Sequence, residues 1–171
     1  MKHPRARGRL VAATTLASLP FPIVSVPTGP GQQRSGKRVF DFGTDTNTFM
    51  YLATTNSKNT GPRFRIAVQG DGDAGEEVSQ VLEGTQPIPA GAWTHLGRVL
   101  GAQGCALYVN GSLQASDADF TLRPADLGET PNNFIGRSPF PVDPYLDGEI
   151  NELRIYTRSL SGQEIATLAS E

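Results

Sequence analysis

The chain has 171 residues, with 15 Lys and Arg against 17 Asp and Glu, so its formal net charge is only −2. That length is typical of one domain, which can bury a core without metals or disulfides. The near-neutral charge and the absence of a basic stripe argue against a nucleic-acid partner. The 19 Gly and 13 Pro residues separate short apolar runs, which is typical of an all-β domain rich in turns.

Residues 1–37 are predicted to form a signal-like or disordered N-terminus and a linker. A basic start and the apolar run Leu10–Leu19 have the outline of a secretory signal, which predicts an extracellular protein. A disordered or wrongly started N-terminus is the alternative. The apolar run is shorter than the roughly 20 residues that a membrane helix needs, so no membrane span is predicted. The polar, Gly-rich residues 28–37 are typical of a linker.

Residues 38–171 are predicted to form one antiparallel β domain. Apolar residues recur there with a period of two, which places one face of each strand on a core and the other in water. The predicted strands cover residues 39–42, 49–53, 64–68, 78–82, 93–100, 105–109, 134–135 and 150–156. Asn110 and Gly111 predict a hairpin, because both tolerate the positive φ that a type I′ turn requires.

A short helix is predicted at the end of the chain. Ser161 followed by Glu164 forms a capping box, in which each side chain accepts a hydrogen bond from the other residue's backbone amide. Leu160, Ile165 and Leu168 then share one side of the helix and can pack on the domain.

Three single residues receive structural rather than chemical interpretations. Cys105 lies in an alternating run and is predicted to be a small buried hydrophobe. Trp93 opens the run 93–100 and is assigned to the core. His95 lies beside it and is predicted to be a partly buried imidazole with satisfied hydrogen bonds rather than a catalytic base.

Several segments in succession resemble a known family. They are Trp93–Leu96, Leu107–Gly111, Phe134–Ser138, Tyr145–Tyr156 and Leu160–Ile165. Their order and spacing resemble the laminin G-like, concanavalin A-like lectin/glucanase domains of secreted bacterial proteins. Two further segments are similar to the version appended to glycoside hydrolases that act on arabinose- or xylose-containing polysaccharides, namely Arg38–Gly43 and Asp143–Leu146.

The resemblance implies an all-β fold, a concanavalin A-like antiparallel β-sandwich (jelly roll) with a short C-terminal helix. Family members usually have a few strands before the segment at Arg38, and this chain has an unrelated stretch there, so its sandwich could lack its first strands. Asn151-Glu152 also stands where the family commonly has a pair of acidic residues.

The resemblance also implies a function, a non-catalytic carbohydrate-binding accessory module of a secreted polysaccharide-degrading system. A structural or protein-interaction laminin G-like domain and a truncated fragment of a glycoside hydrolase are the alternatives. A glycosidase needs two carboxylates about 5–10 Å apart on a cleft. Asp147 and Glu149 alternate on a predicted strand, but that face ends in Asn151 and Leu153. No catalytic residue is therefore assigned.

The candidate sugar-binding residues lie on the loop that follows the predicted strand 134–135. Sugars are bound by flat aromatic faces together with planar polar groups. The loop offers Arg137, Phe140, Asp143 and Tyr145, and its three prolines reduce the entropy lost on binding. The alternative is that Phe140 and Tyr145 only fasten the loop to the sandwich. The expected partner is a glycan, with arabinose- or xylose-containing polysaccharides as the first choice.

Calcium (Ca²⁺) is the candidate cofactor, because it takes oxygen ligands from loops in flexible geometry. Asp41 and Asp45, with Asn47, would form a site with Asp147 if the fold brings them together. The acidic stretch from Asp71 to Glu77 is a second possibility, although a solvated hairpin loop explains it equally.

Overall fold

The protein is a β-sandwich of two antiparallel sheets in a computed structural model that describes residues 15–16, 36–70 and 77–171. Within these residues the strands are β1 (Thr15–Leu16), β2 (Arg38–Gly43), β3 (Phe49–Ala53), β4 (Arg63–Gln69), β5 (Glu77–Glu83), β6 (Leu96–Gly101), β7 (Gly104–Val109), β8 (Ser112–Asp117), β9 (Asn132–Ile135) and β10 (Ile155–Tyr156). Sheet I has the order β10-β1-β6-β7-β8, and sheet II has the order β5-β4-β3-β2-β9. A turn of 3₁₀ helix (Pro124–Leu127) precedes β9, and the helix α1 (Gly162–Leu168) follows β10.

The core lies between the two sheets and is built by the alternation seen in the sequence. Phe40, Leu52 and Phe64 lie opposite one another on β2, β3 and β4 and point inward from sheet II. Leu100 and Leu107 face them from sheet I. All five are almost completely buried, and complete burial of such a side chain stabilises the fold by about 1.5–3 kcal/mol.

The predicted hairpin and helix cap are both confirmed. Asn110 and Gly111 have φ values of 48° and 76°, as a type I′ turn requires. Ser161 Oγ accepts a hydrogen bond from the Glu164 amide at 3.2 Å, and the Glu164 carboxylate accepts one from the Ser161 amide at 2.8 Å. Ile165 of the capped helix is fully buried on the outer face of sheet I.

Two predictions about strands are wrong. The predicted strand 150–156 is reduced to β10, because Ile150 and Leu153 both pack against the core at a spacing of three residues, which a strand cannot provide. Trp93 lies before β6 and is 39% exposed, so it is not a core residue. Pairing begins only near His95, whose carbonyl accepts a hydrogen bond from the Asn110 amide at 2.8 Å where the hairpin ends.

One short strand comes from the segment before residue 38. Thr15 and Leu16 pair with Tyr156 and Ile155, and Leu16 also pairs with Arg98, so β1 lies between β10 and β6. The boundary at residue 38 and the secretory leader stay predictions, and most of the leader and of the linker 28–37 lies outside the described residues. None of the helices in the described ranges is long and apolar enough to cross a membrane.

Candidate functional site

The outer face of sheet II carries charged and aromatic side chains in rows that cross the strands. The alternation that points Phe40 and Leu52 into the core sends the neighbouring residues to this outer face. One row contains Glu83, Arg63, Ala53 and Arg38, and the next contains Val81, Arg65, Tyr51, Asp41 and Phe134. This face therefore combines planar rings with groups that can form hydrogen bonds.

Arg38, the first residue of β2, lies on this face. Its side chain is only 8% exposed, and its Nη2 donates a hydrogen bond to Asp143 Oδ2 at 3.0 Å. The guanidinium carbon lies 3.3 Å from the centroid of the Tyr51 ring and 5.9 Å from that of Phe140. Arg38 Nη1 is also 3.8 Å from Asp41 Oδ2. Charge pairing and stacking on an aromatic ring together hold this guanidinium in one position.

The loop 137–146 is fastened across this face through Arg38 and Phe140. The Phe140 ring contacts Phe49 edge-on, with centroids 5.9 Å apart. The Asp143 amide donates to the Phe140 carbonyl at 3.1 Å, which closes a turn inside the loop. Gly36 lies against Asp143, where a Cβ would be 2.9 Å from Oδ1, and its φ of 98° favours glycine.

The four predicted sugar-binding residues therefore fall into two pairs. Phe140 and Asp143 fasten the loop, as the alternative interpretation expected for Phe140. Tyr145 is 70% exposed and does not fasten the loop to the core. Arg137 is also exposed, and its guanidinium carbon lies 4.2 Å from the centroid of the Phe134 ring. Arg137 and Tyr145 are thus the two members of the set that a ligand can reach.

Arg38, Tyr51 and Phe134 support the loop, although no sequence pattern marks them as site residues. An arginine and two aromatic residues within alternating strands are ordinary in a sequence. Only the strand register places Tyr51 and Phe134 on either side of Asp41.

Asp41 is an unusual acid, because it is 1% exposed. Burial raises its pKa from 3.8 to about 7, although the positive charge of Arg38 opposes this rise. Neither of its carboxylate oxygens has a hydrogen-bond partner among the described residues. Its carboxyl group therefore changes charge close to neutral pH.

The three candidate calcium ligands are not brought together. Asp41 faces Arg38, Asp45 Oδ1 accepts hydrogen bonds from the Asn47 and Thr48 amides, and Asp147 Oδ2 lies 3.8 Å from Lys37 Nζ. No group of three or more His, Cys, Asp or Glu side chains in the described residues could hold a metal ion. In the second acidic stretch, Glu77 pairs with Arg65, and residues 71–76 lie outside the described residues. Calcium binding itself stays a prediction.

The other residues considered for catalysis or reactivity do not form a reactive site. Cys105 is a small buried hydrophobe, as predicted, and burial raises the pKa of its thiol to about 12. Burial lowers the pKa of His95 to about 4. The prediction that the His95 imidazole is satisfied is wrong, since neither ring nitrogen has a hydrogen-bond partner among the described residues. Asp147 and Glu149 are exposed and do not lie on a strand.

The comparison with protein families identifies the fold. The family model described as the concanavalin A-like lectin/glucanases superfamily matches residues 27–166. The chain belongs to this superfamily. No curated protein matches the chain. The β-sandwich and the short terminal helix agree with the resemblance found in the sequence.

Solved structures with the same fold include domains of enzymes that act on glycans. Domain 4 of AbnA, a GH43 extracellular arabinanase from Geobacillus stearothermophilus solved in complex with arabinotriose, matches with a TM-score of 0.69 at 20% identity, over 92% of this chain and 67% of that chain. The CBM40 of the Ruminococcus gnavus IT-sialidase matches with a TM-score of 0.64 at 16% identity, over 95% of this chain and 85% of that chain. Trypanosoma rangeli sialidase matches with a TM-score of 0.55 at 17% identity, over 93% of this chain but only 23% of that chain. At these identities the likeness shows a shared fold.

Proposed function

We propose that this lectin/glucanase-superfamily domain binds glycans through the outer face of sheet II and the loop 137–146. It would act as a non-catalytic accessory module of a secreted polysaccharide-degrading system. Two structural neighbours support this proposal, the arabinanase domain in complex with arabinotriose and the CBM40 bound to α2,6-sialyllactose.

The observation that carries the proposal is the way in which Arg38 fixes the loop. Its 3.0 Å ion pair with Asp143 joins the loop to β2, and its position beside Tyr51 and Phe140 fixes the guanidinium. A loop held in this way loses little entropy when a ligand binds. The exposed ring of Tyr145 can then stack on the apolar face of a sugar, while Arg137 donates hydrogen bonds to sugar oxygens.

The acids of this face support a binding role over a catalytic one. Asp41 has a pKa raised to about 7, but it is 1% exposed, so a substrate cannot reach it. Asp143 pairs with Arg38, Glu83 pairs with Arg63, and Glu77 pairs with Arg65. A glycosidase needs one carboxyl group as an acid and a second carboxylate as a base or nucleophile. Each of these three carboxylates is engaged by an arginine, so none of them is free to take either role.

The ligand proposed first is an arabinose- or xylose-containing polysaccharide, on the strength of the sequence resemblance and the arabinanase neighbour. The role proposed for Ca²⁺ is to stabilise the folded domain and not to contact the sugar. A rise in the midpoint of thermal unfolding with CaCl₂, but not with MgCl₂, would support calcium binding, because an ion that binds the folded state stabilises it.

The decisive experiment measures binding of the full chain to arabinan, arabinoxylan and soluble oligosaccharides by pull-down and calorimetry. Tyr145→Ala should weaken binding about tenfold, which corresponds to about 1.4 kcal/mol of lost stacking. Leu113→Ala is the control, because Leu113 is 55% exposed on β8 of sheet I, on the other sheet from the proposed site. Its affinity should stay unchanged. Binding to none of the glycans would refute the proposal and favour a protein-interaction domain.

A further inference from the structure

Arg137 differs from the other arginines on the outer face of sheet II. Arg38 and Arg63 lie 3.0 and 3.6 Å from the carboxylates of Asp143 and Glu83, and Arg65 pairs with Glu77. Arg137 is exposed and has no ion pair or side-chain hydrogen bond within the described ranges. The described part of this face therefore neutralises three of its arginines and leaves the charge of the fourth facing solvent.

No acid among the described residues pairs with Arg137. Residues 1–35 contain no Asp or Glu. Within the described part of the chain, the positive charge of Arg137 is therefore available to a ligand.

Phe134 orients the Arg137 guanidinium. The 4.2 Å distance from the guanidinium carbon to the ring centroid is within the range of a cation–π contact. Such a contact limits the orientations of the planar group before a ligand arrives. An oriented guanidinium can donate two parallel N–H bonds to a carboxylate, which a lysine or an amide cannot do.

The backbone brings Tyr145 and Arg137 close together. The Leu146 amide donates a hydrogen bond to the Gly136 carbonyl at 2.8 Å, so the residues that flank this bond, Tyr145 and Arg137, are neighbours. Both side chains are exposed. One sugar unit can therefore place its ring against Tyr145 and a charged substituent near Arg137.

We propose that Arg137 and Tyr145 form a subsite for a sugar unit that carries a carboxylate. This inference rests on the proposed glycan-binding function and specifies its ligand. The shared chemistry is an anionic carboxylate attached to a sugar ring, and its source is either a uronic acid on a polysaccharide or a sialic acid on an oligosaccharide.

The test compares charged glycans with matched neutral ones by calorimetry on the full chain. The pairs are sialyllactose against lactose, and a glucuronate-substituted xylo-oligosaccharide against the unsubstituted oligosaccharide of the same length. One charged member should bind at least about tenfold tighter than its neutral counterpart. That preference should weaken as salt concentration rises, because the contact is ionic and exposed. The charged glycan that shows this preference identifies the source of the carboxylate.

Substitutions at the subsite separate the inference from the proposed function. Arg137→Gln should abolish the preference for the charged member, Arg137→Lys should retain part of it, and Leu113→Ala, on β8 of sheet I, should retain all of it. Equal affinity for charged and neutral members in the wild-type protein, or an unchanged preference in Arg137→Gln, would overturn the inference and leave glycan binding intact. Failure of the wild-type protein to bind any charged or neutral glycan would overturn both.

Discussion

Replacing Arg98 by methionine should stabilise the protein, because Arg98 is a charged side chain buried without a counterion in the described part of the chain. It is fully buried on β6, between the two sheets. None of its three guanidinium nitrogens has a hydrogen-bond partner among the described residues. The favourable contact that the guanidinium does make is a cation–π contact with Phe64, whose ring centroid lies 4.2 Å from the guanidinium carbon.

The size of the effect follows from two opposing terms. Burial lowers the pKa of Arg98 from 12.5 to about 10, and one pH unit corresponds to about 1.4 kcal/mol, so keeping the charge buried costs about 3 kcal/mol. At pH 7 this cost is present in full, because it is relieved only as pH rises above the folded pKa. Stacking on Phe64 returns about 2 kcal/mol. Methionine removes both terms and fills similar space with an apolar chain.

Arg98→Met should therefore raise the free energy of unfolding by about 1 kcal/mol, the difference between these two terms, in the direction seen when buried ionic groups are replaced in other proteins. For a protein of this size the midpoint of thermal unfolding should rise by about 2–4 °C per kcal/mol. Urea unfolding at pH 7, followed by fluorescence, measures the change directly. Lys58→Met is the control, since it removes the same charge from an exposed position and should leave stability unchanged. A loss of more than about 1 kcal/mol in Arg98→Met would refute the reasoning and show that the guanidinium has a favourable partner.

Two further predictions concern Arg38 and His95. Arg38→Met should lower the free energy of unfolding by about 3 kcal/mol, because it leaves the Asp143 carboxylate without its ion pair. Arg38→Lys should recover only part of this loss. If urea unfolding shows that Arg38→Met is as stable as the wild-type protein, the role given to Arg38 is contradicted. In the folded protein His95 has a pKa of about 4, below its ordinary value of 6.5. At a pH between 4 and 6.5, His95 is therefore mainly protonated in the unfolded chain and mainly neutral in the folded protein. Stability should then fall by up to about 3 kcal/mol as pH decreases from 6.5 to 4, and His95→Gln should remove this component. Urea unfolding of both proteins at pH 4, 5.5 and 7 measures the difference, and parallel pH profiles would exclude the effect.

Much of the fold could be predicted because its signals are local. The strand at Phe49–Ala53 begins and ends where alternation predicted, the Asn110-Gly111 turn has the required positive φ values, and Ser161 caps the final helix through Glu164. Each of these features depends on residues that are neighbours in the sequence. Alternation failed where apolar residues pack with another spacing, as Ile150 and Leu153 do.

The candidate site was predicted only in outline. The loop with Arg137, Phe140, Asp143 and Tyr145 was recognised by its composition, but composition does not separate a residue that fastens the loop from one that faces solvent. That separation depends on which strand lies beneath each side chain.

The sequence by itself determined the class of fold, the superfamily resemblance, the hairpin and the capped helix, because periodicity, turn chemistry and capping act over a few residues. Only the tertiary structure decided that Arg38 binds Asp143, a residue 105 positions away, and that Phe134 orients Arg137. It also left Arg98 without a counterion in the described core. Charge pairing and stacking depend on distances of a few ångströms between strands, and those distances exist only once the two sheets have formed.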